Sequence, residues 1–571
     1  MAPVRGFADL HTHPVAHRGF GGKVLVGEPW NSAGVHEALK NCEGAGAGHS
    51  PFTSAQALLS WFVRHFSEGH GACGAPTFEH WPAYTTMYHQ QMYVDFIRRS
   101  HAHGLRLMCA LAVNNELLAR TAAAVRYSDY NMIESQVRAL NEFVRNVRAA
   151  STAAGEAPWL DIAESPAEAR AIIGRGELAI VRGVEVDTLD SIARHGDFDE
   201  PTHLSAGPSV PTRGLRARPL EPSEVEVVLD QLQAWGISMI TPIHLADNSF
   251  GGAAIYDDRF DLLQEWLRGL PYEEVVTRSV AFRLGTSDPL QRTVMRTIAQ
   301  LKGARTYRPA SSGRGHRNGA TLTAVGRRFL EGAMKRGFIL DVDHMSEKTT
   351  DASLSLATAH RYPVISSHSS FRALGYRRHE RPDELGLTHE AMKTPEQLDA
   401  ILSLGGVVAP ITNQHRCKAH GSTVANGIGT SRAYAQSFLY AVERAQTLGR
   451  GGVAFGTDFN GLAQQPGPRF PAEDSSNDSR RLRYGASTFF TGQPLLHDVL
   501  AGRARPFDLN EDGLAHYGLL GDFIEDLRTI QVPDAAIDTL FDSAEAFLQM
   551  WEACELRAAG LRRNEPIAEV V

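Results

Sequence analysis

His11 and His13 stand two residues apart in Ala8-Asp9-Leu10-His11-Thr12-His13, where an apolar run that reads as a β-strand comes to its end. Side chains two apart on a strand share a face, so both imidazoles can grip one divalent ion. Three more runs stop in ligand side chains: Gly183-Val184-Glu185, Leu340-Asp341-Val342-Asp343-His344 and Ser366-Ser367-His368-Ser369-Ser370. A fifth, Gly456-Thr457-Asp458-Phe459-Asn460-Gly461, ends in a carboxylate. Together these strand ends offer places for two ions, His11 and His13 serving one, His344 and His368 the other. Glu185 is the carboxylate that can bridge the pair and offset their mutual repulsion. Imidazole with carboxylate suits Zn2+, and manganese, cobalt or iron fit the same donors. Asp341 and Asp343 either orient the imidazoles or face a neighbouring helix.

The chemistry such a set performs is metal-dependent hydrolysis, because a divalent ion lowers the pKa of the water it holds to about 7. Asp458 is the expected general base and acid, taking a proton from that water and delivering it to a leaving nitrogen. His244, in Thr241-Pro242-Ile243-His244, is placed to stabilise the oxyanion. Only seven lysines occur in the chain and none ends a strand, which leaves Glu185 as the credible bridge.

Strands must carry these residues to one place. Eight runs, at roughly 5–11, 105–113, 177–186, 237–245, 337–344, 362–368, 405–411 and 451–458, are apolar on both faces, as buried parallel strands are. Amphipathic stretches lie between them, among them Tyr130–Ala150, Pro222–Gly236, Leu322–Arg336, Thr394–Leu404 and Ala433–Leu448. Eight such alternations predict an α/β fold, a closed (β/α)8 TIM-like barrel of the metal-dependent hydrolase type. The whole chain, 1–571, reads as one domain with helices at about 511–560. Insertions at about 14–104, 190–220, 246–320 and 462–510 leave from strand C-terminal ends, the face on which barrels carry their sites.

Composition narrows the partners. With 57 basic against 65 acidic residues the net charge is −8, and no dense Lys/Arg run is present, so no nucleic-acid partner is expected. Cys42, Cys73, Cys109, Cys417 and Cys554 are scattered and odd in number, against a disulfide framework, although Cys42 and Cys73 share an insertion and could pair. The start lacks a charged segment followed by an apolar one, and no run of about 18 apolar residues occurs, so the expectation is a cytoplasmic protein without a membrane partner. A homodimer is compatible with this reading.

On these residues the chain resembles the membrane (renal) dipeptidase family of zinc peptidases, within the amidohydrolase-like superfamily. The likeness runs from Leu322-Thr323-Ala324-Val325-Gly326-Arg327 through Gly337–Ser346, Pro363–Ser370, Arg381-Pro382-Asp383-Glu384-Leu385, Gly406-Val407-Val408 and Gly456–Gly461 to Phe541–Phe547. Glu185 and His244 fall where the family keeps its bridging carboxylate and its oxyanion-side histidine. The resemblance implies dipeptidase activity on a small peptide or amide, one zinc on His11, His13 and Glu185, another on Glu185, His344 and His368, and Asp458 handling protons. Three departures stand out. His13 occupies a position that is usually Asp, Asn460 replaces a common Asp, and the arginine that binds the dipeptide carboxylate falls on His379, with Arg378 and Arg381 beside it. Those three residues, with His244, are the substrate-binding candidates. Rival readings are a lactone, cyclic-imide or larger-amide hydrolase on the same scaffold, and a TatD-like metal-dependent nuclease.

Overall fold

The computed structural model describes residues 3–39, 77–78, 81–121, 128–197, 220–256, 258–269, 271–284, 314–375, 388–414, 424, 427, 429–470 and 480–563. Its centre is a curled parallel sheet in a mixed α/β fold. Strands β1 (Phe7–Thr12), β2 (Leu105–Asn114), β4 (Leu178–Val186), β5 (Met239–Thr241) and β8 (Ile339–Leu340) pair in that order, and β3 (Leu160–Ala163) adds to the outer stretch of β4. A second parallel pair joins β9 (Ser366–Ser369) to β10 (Val408–Pro410). Isolated parallel bridges link Asp341 to Ile365, Val408 to Val453, Ile411 to Gly456, Asp9 to Phe455 and Thr12 to Phe459.

The residues explain the elements. β1 and β4 are buried at every position, which is why they do not alternate apolar and polar residues as half-exposed strands do. The helices lie close to where the amphipathic spacing puts them: Asp129–Ala153, Pro222–Ala234, Ala324–Arg336, Pro395–Ser403 and Ser431–Thr447. Side-chain caps start several of them. Thr323 accepts from the Gly326 amide and Ser346 from Thr349, while Thr394 and Gln397 form a reciprocal capping box. At the base of the sheet, the Gly6 amide donates to the Phe541 carbonyl (2.8 Å), the Ala8 amide donates to Ser543 Oγ (2.8 Å), and Phe7 packs edge-on against Phe455 and Phe541. The C-terminal helix Ser543–Arg562 thus fixes the start of β1, burying Phe547 and Trp551.

Two differences from the sequence reading concern short strands. β3, a four-residue strand, has no apolar run, and β6 (Glu274–Thr277) with β7 (Gly315–Asn318) forms an antiparallel pair within what reads as a plain insertion. All four β6 positions are only half-buried, so burial leaves no pattern in them. Cys109 and Cys554 are buried free thiols. Cys42, Cys73 and Cys417 lie outside the described residues. Among the described residues, no helix is long and apolar enough to cross a membrane.

Candidate active site

Glu185 ends β4 between β2 and β5, in register with Val113 on one side and Thr241 on the other, and is 2% exposed. Its two oxygens face different partners. Oε2 lies 3.0 Å from His11 Nε2 and 3.6 Å from His13 Nε2; Oε1 lies 3.1 Å from His344 Nε2 and 3.8 Å from His368 Nε2. His344 and His368 converge until their Nε2 atoms are 2.8 Å apart. Asp458 Oδ1 stands 3.2 Å from His13 Nε2 and 3.9 Å from His11 Nε2. The structure therefore brings His11, His13, Glu185, His344, His368 and Asp458 to one place, with His244 Nε2 3.9 Å from Glu185 Oε2. Arg378, His379 and Arg381 lie outside the described residues.

Local backbone aims these side chains. His344 (φ 62°), Asp458 (φ 53°) and Asn460 (φ 66°) all sit in the left-handed region that non-glycine residues seldom adopt. Glycine permits the close approaches beside them. A Cβ on Gly456 would come within 2.1 Å of the Ser367 carbonyl oxygen, and one on Gly461 within 1.7 Å of Asp458 Oδ1. Asn460 donates to the His13 carbonyl (3.3 Å) and accepts from the Gln91 amide (3.0 Å), so it ties the Asp458 loop to the end of β1.

Behind the converging nitrogens, each ring has a partner on its other nitrogen. His11 Nδ1 meets Ser367 Oγ (2.8 Å), which in turn donates to Asp341; His13 Nδ1 donates to the Leu111 carbonyl (2.9 Å). His344 Nδ1 meets the Tyr256 hydroxyl (3.1 Å), and His244 Nδ1 lies 2.9 Å from Asp187 Oδ1. His368 Nδ1 lies 3.0 Å from Ser367 Oγ and 3.5 Å from Asp343 Oδ2, and the Lys393 ammonium pairs with Asp343 Oδ1 at 2.8 Å. Asp341 and Asp343 are thus turned toward the imidazole supports and not toward a neighbouring helix. Sequence reasoning missed Asp187, Tyr256, Ser367 and Lys393; no short-range spacing connects Asp187 or Tyr256 to the rings they touch, or Lys393 to Asp343. The one available signal was Ser367, next in sequence to His368.

Charge in this buried space is self-consistent. Burial works against the Glu185 anion, but His11 and His244 outweigh it and hold the carboxyl well below the usual carboxylate range. Burial likewise opposes charge on His11, yet Glu185 beside it pushes the imidazole up to about 9. Burial and the neighbouring His11 push His368 down to about 3. His244 is raised, burial being outweighed by Glu185 and Asp187, and Asp343 is lowered, burial being outweighed by Lys393. Burial together with the nearby Asp343 raises Asp341 to about 7.

The donor set fits divalent metal. Within each of the groups His11/His13/Asp458, His11/Glu185/His368 and Glu185/His244/His344, the ligand atoms lie within 4.8 Å of one another. His13 Nε2 and Glu185 Oε1 are fully buried and aimed into this space without a hydrogen bond, an expensive arrangement for polar atoms unless a cation is their partner.

Residues 304–469 match the model of the membrane dipeptidase family, peptidase family M19. Over that stretch the chain is similar to the membrane dipeptidase family. The matched stretch carries His344, His368 and Asp458, while His11, His13, Glu185 and His244 precede it. No curated protein matches the chain. Among solved structures, the probable dipeptidase PvdM from Pseudomonas aeruginosa is 14% identical, over 82% of this chain and 89% of that one, at a TM-score of 0.44. An amidohydrolase from Pseudomonas aeruginosa is 12% identical, over 81% and 92%, at 0.40. A metallo peptidase from Rhodobacter sphaeroides, liganded with a phosphinate mimic of the dipeptide L-Ala-D-Ala, is 13% identical, over 80% and 89%, at 0.41. At these scores the three likenesses carry no argument about function.

Proposed function

We propose that this chain is a dinuclear zinc hydrolase that cleaves the amide bond of a dipeptide-like small molecule. The observation that carries the reading is the division of Glu185: one oxygen turned to His11 and His13, the other to His344 and His368, on a carboxylate with almost no access to water. Two pairs of imidazoles facing opposite oxygens of one buried carboxylate is the arrangement that a bridging ligand requires. The assigned scaffold is a single closed (β/α)8 barrel spanning the chain, with its insertions walling the site. The isolated bridges that continue from β8 through β9, β10 and 453–459 back to β1 support closure.

When bound, the ions supply a water of lowered pKa and polarise the scissile carbonyl. Asp458, the more open carboxylate of the site at 15% side-chain exposure, takes a proton and carries it to the leaving nitrogen. His244, with Asp187 against Nδ1, would present Nε2 to the carbonyl oxygen as negative charge develops there. Arg378, His379 and Arg381 are the proposed anchors of a free carboxylate.

The test is turnover of a mixed L,L and L,D dipeptide library by protein reconstituted with zinc to verified content. Release of amino acids that stops on chelation and returns with zinc is expected. Silence from fully loaded protein would overturn the dipeptide reading and move the choice to a cyclic amide or lactone, assayed on the same preparation beside single-stranded DNA.

A further inference from the structure

A lysine lies beneath one of the candidate ligands. Lys393 is 2% exposed, and its ammonium is committed to Asp343 Oδ1 (2.8 Å) and the Val342 carbonyl (3.0 Å). Its backbone is stitched to the segment after β9, the Lys393 amide donating to the Ser370 carbonyl and the Arg372 amide to the Lys393 carbonyl, both at 2.9 Å. Asp343 is held from every side. Oδ1 also accepts from Ser366 Oγ (2.7 Å), and Oδ2 accepts from the His368 amide (2.8 Å) while standing 3.5 Å from His368 Nδ1.

An imidazole that gives Nε2 to an ion must carry its proton on Nδ1. For His368 that proton goes to Ser367 Oγ (3.0 Å), while Asp343 Oδ2, bonded to the His368 amide and 3.5 Å from Nδ1, holds the residue in place and sets the field beside its ring. Asp343 can do this for His368 only while it is an anion, yet it is buried with a second carboxylate, Asp341, nearby. A buried anion persists where a cation and hydrogen bonds compensate it. Lys393 is the one ammonium or guanidinium paired with Asp343 among the described residues.

We propose that Lys393 is a positioning residue for metal binding, acting through Asp343 to hold His368 as an Nε2 donor. The inference rests on the dinuclear reading above. It makes the Glu185/His344/His368 side of the centre dependent on a residue within the β9–β10 connection, while the His11/His13 side, which meets His368 through Ser367, Glu185 and ring stacking, depends on it less.

Zinc stoichiometry and affinity, read by calorimetry and by the absorption of the cobalt-substituted protein, decide the matter. Wild-type chain that holds fewer than two ions would overturn the dinuclear reading itself. Given two ions, Lys393→Met is expected to weaken one of them by about 10–100-fold and the other by much less; two unchanged affinities, or equal weakening of both, would overturn the inference. Adding Asp343→Asn to Lys393→Met should cost little more than either change alone, because both break one link. In a His368→Ala background, which retains one ion, Lys393→Met should have no effect. A further loss there would mean that Lys393 serves general folding, and would sink the positioning role.

Discussion

The two sides of Glu185 are built by different means. On one side, His11 and His13 come from a single strand, both rings have no solvent exposure, and their outer nitrogens rest on the Leu111 carbonyl of β2 and on Ser367. On the other, His344 and His368 come from two strand ends, are 13% and 6% exposed, and are propped by Tyr256 and by Asp343 with its lysine. The first side uses what the sheet itself provides. The second borrows long side chains from connections, so its geometry can be altered by changes outside the sheet. A centre assembled this way has one fixed half and one adjustable half.

Removing the shared element should have the largest effect. Glu185→Gln is expected to weaken both ions by more than the about 10–100-fold typical of losing an outer partner. Plasma emission spectroscopy of the dialysed variant reads the outcome, and full retention of two ions would end the idea of a bridge. Asp458→Asn separates chemistry from binding: kcat should fall by about 10²–10⁴-fold with metal content held. Loss of metal in that variant would instead class Asp458 as a ligand of the His11/His13 side. Tyr256→Phe tests the adjustable half alone, with about a 10-fold weaker ion at His344 and no change at His11; equal weakening at both would erase the contrast.

The smallest expected effect is in the metal-free protein, where the halves should respond oppositely to pH. His11, raised to about 9, contributes stability that is fully present below its unfolded value near 6.5 and is lost as pH climbs through 9. His368, lowered to about 3, costs stability as pH drops from about 6.5 toward 3, because the unfolded chain binds the proton more readily. Urea midpoints against pH should show His11→Asn flattening the alkaline limb and His368→Asn the acidic one. Because His11 is one cause of the His368 depression, His11→Asn should also soften the acidic limb; an alkaline limb untouched by His11→Asn would contradict the comparison.

The legibility of the chain from its sequence divides along similar lines. Buried parallel strands announce themselves as apolar runs, so the eight runs fall on strands or strand-like segments and their terminal His, Glu and Asp residues meet as the spacing implied. β3 and the β6–β7 pair escape because four-residue strands with half-buried positions leave no period to detect. The supports escape for another reason. Lys393 reaches Asp343 across 50 residues of chain and Tyr256 reaches His344 across 88, and contacts of that separation have no local signature. Asp341 and Asp343 were legible as chemistry-bearing types, but only the packing of β9 against Asp341 decides which way they face.

The left-handed backbone at His344 and Asp458 bears on how such a chain can change over generations. Each of these residues forgoes about 1–2 kcal/mol by holding a conformation that glycine or asparagine adopts more readily. Variants selected for heat tolerance alone should therefore collect Gly or Asn at 344 and 458, gaining melting temperature while losing turnover. Selection for turnover should restore His and Asp there, against the pull of stability.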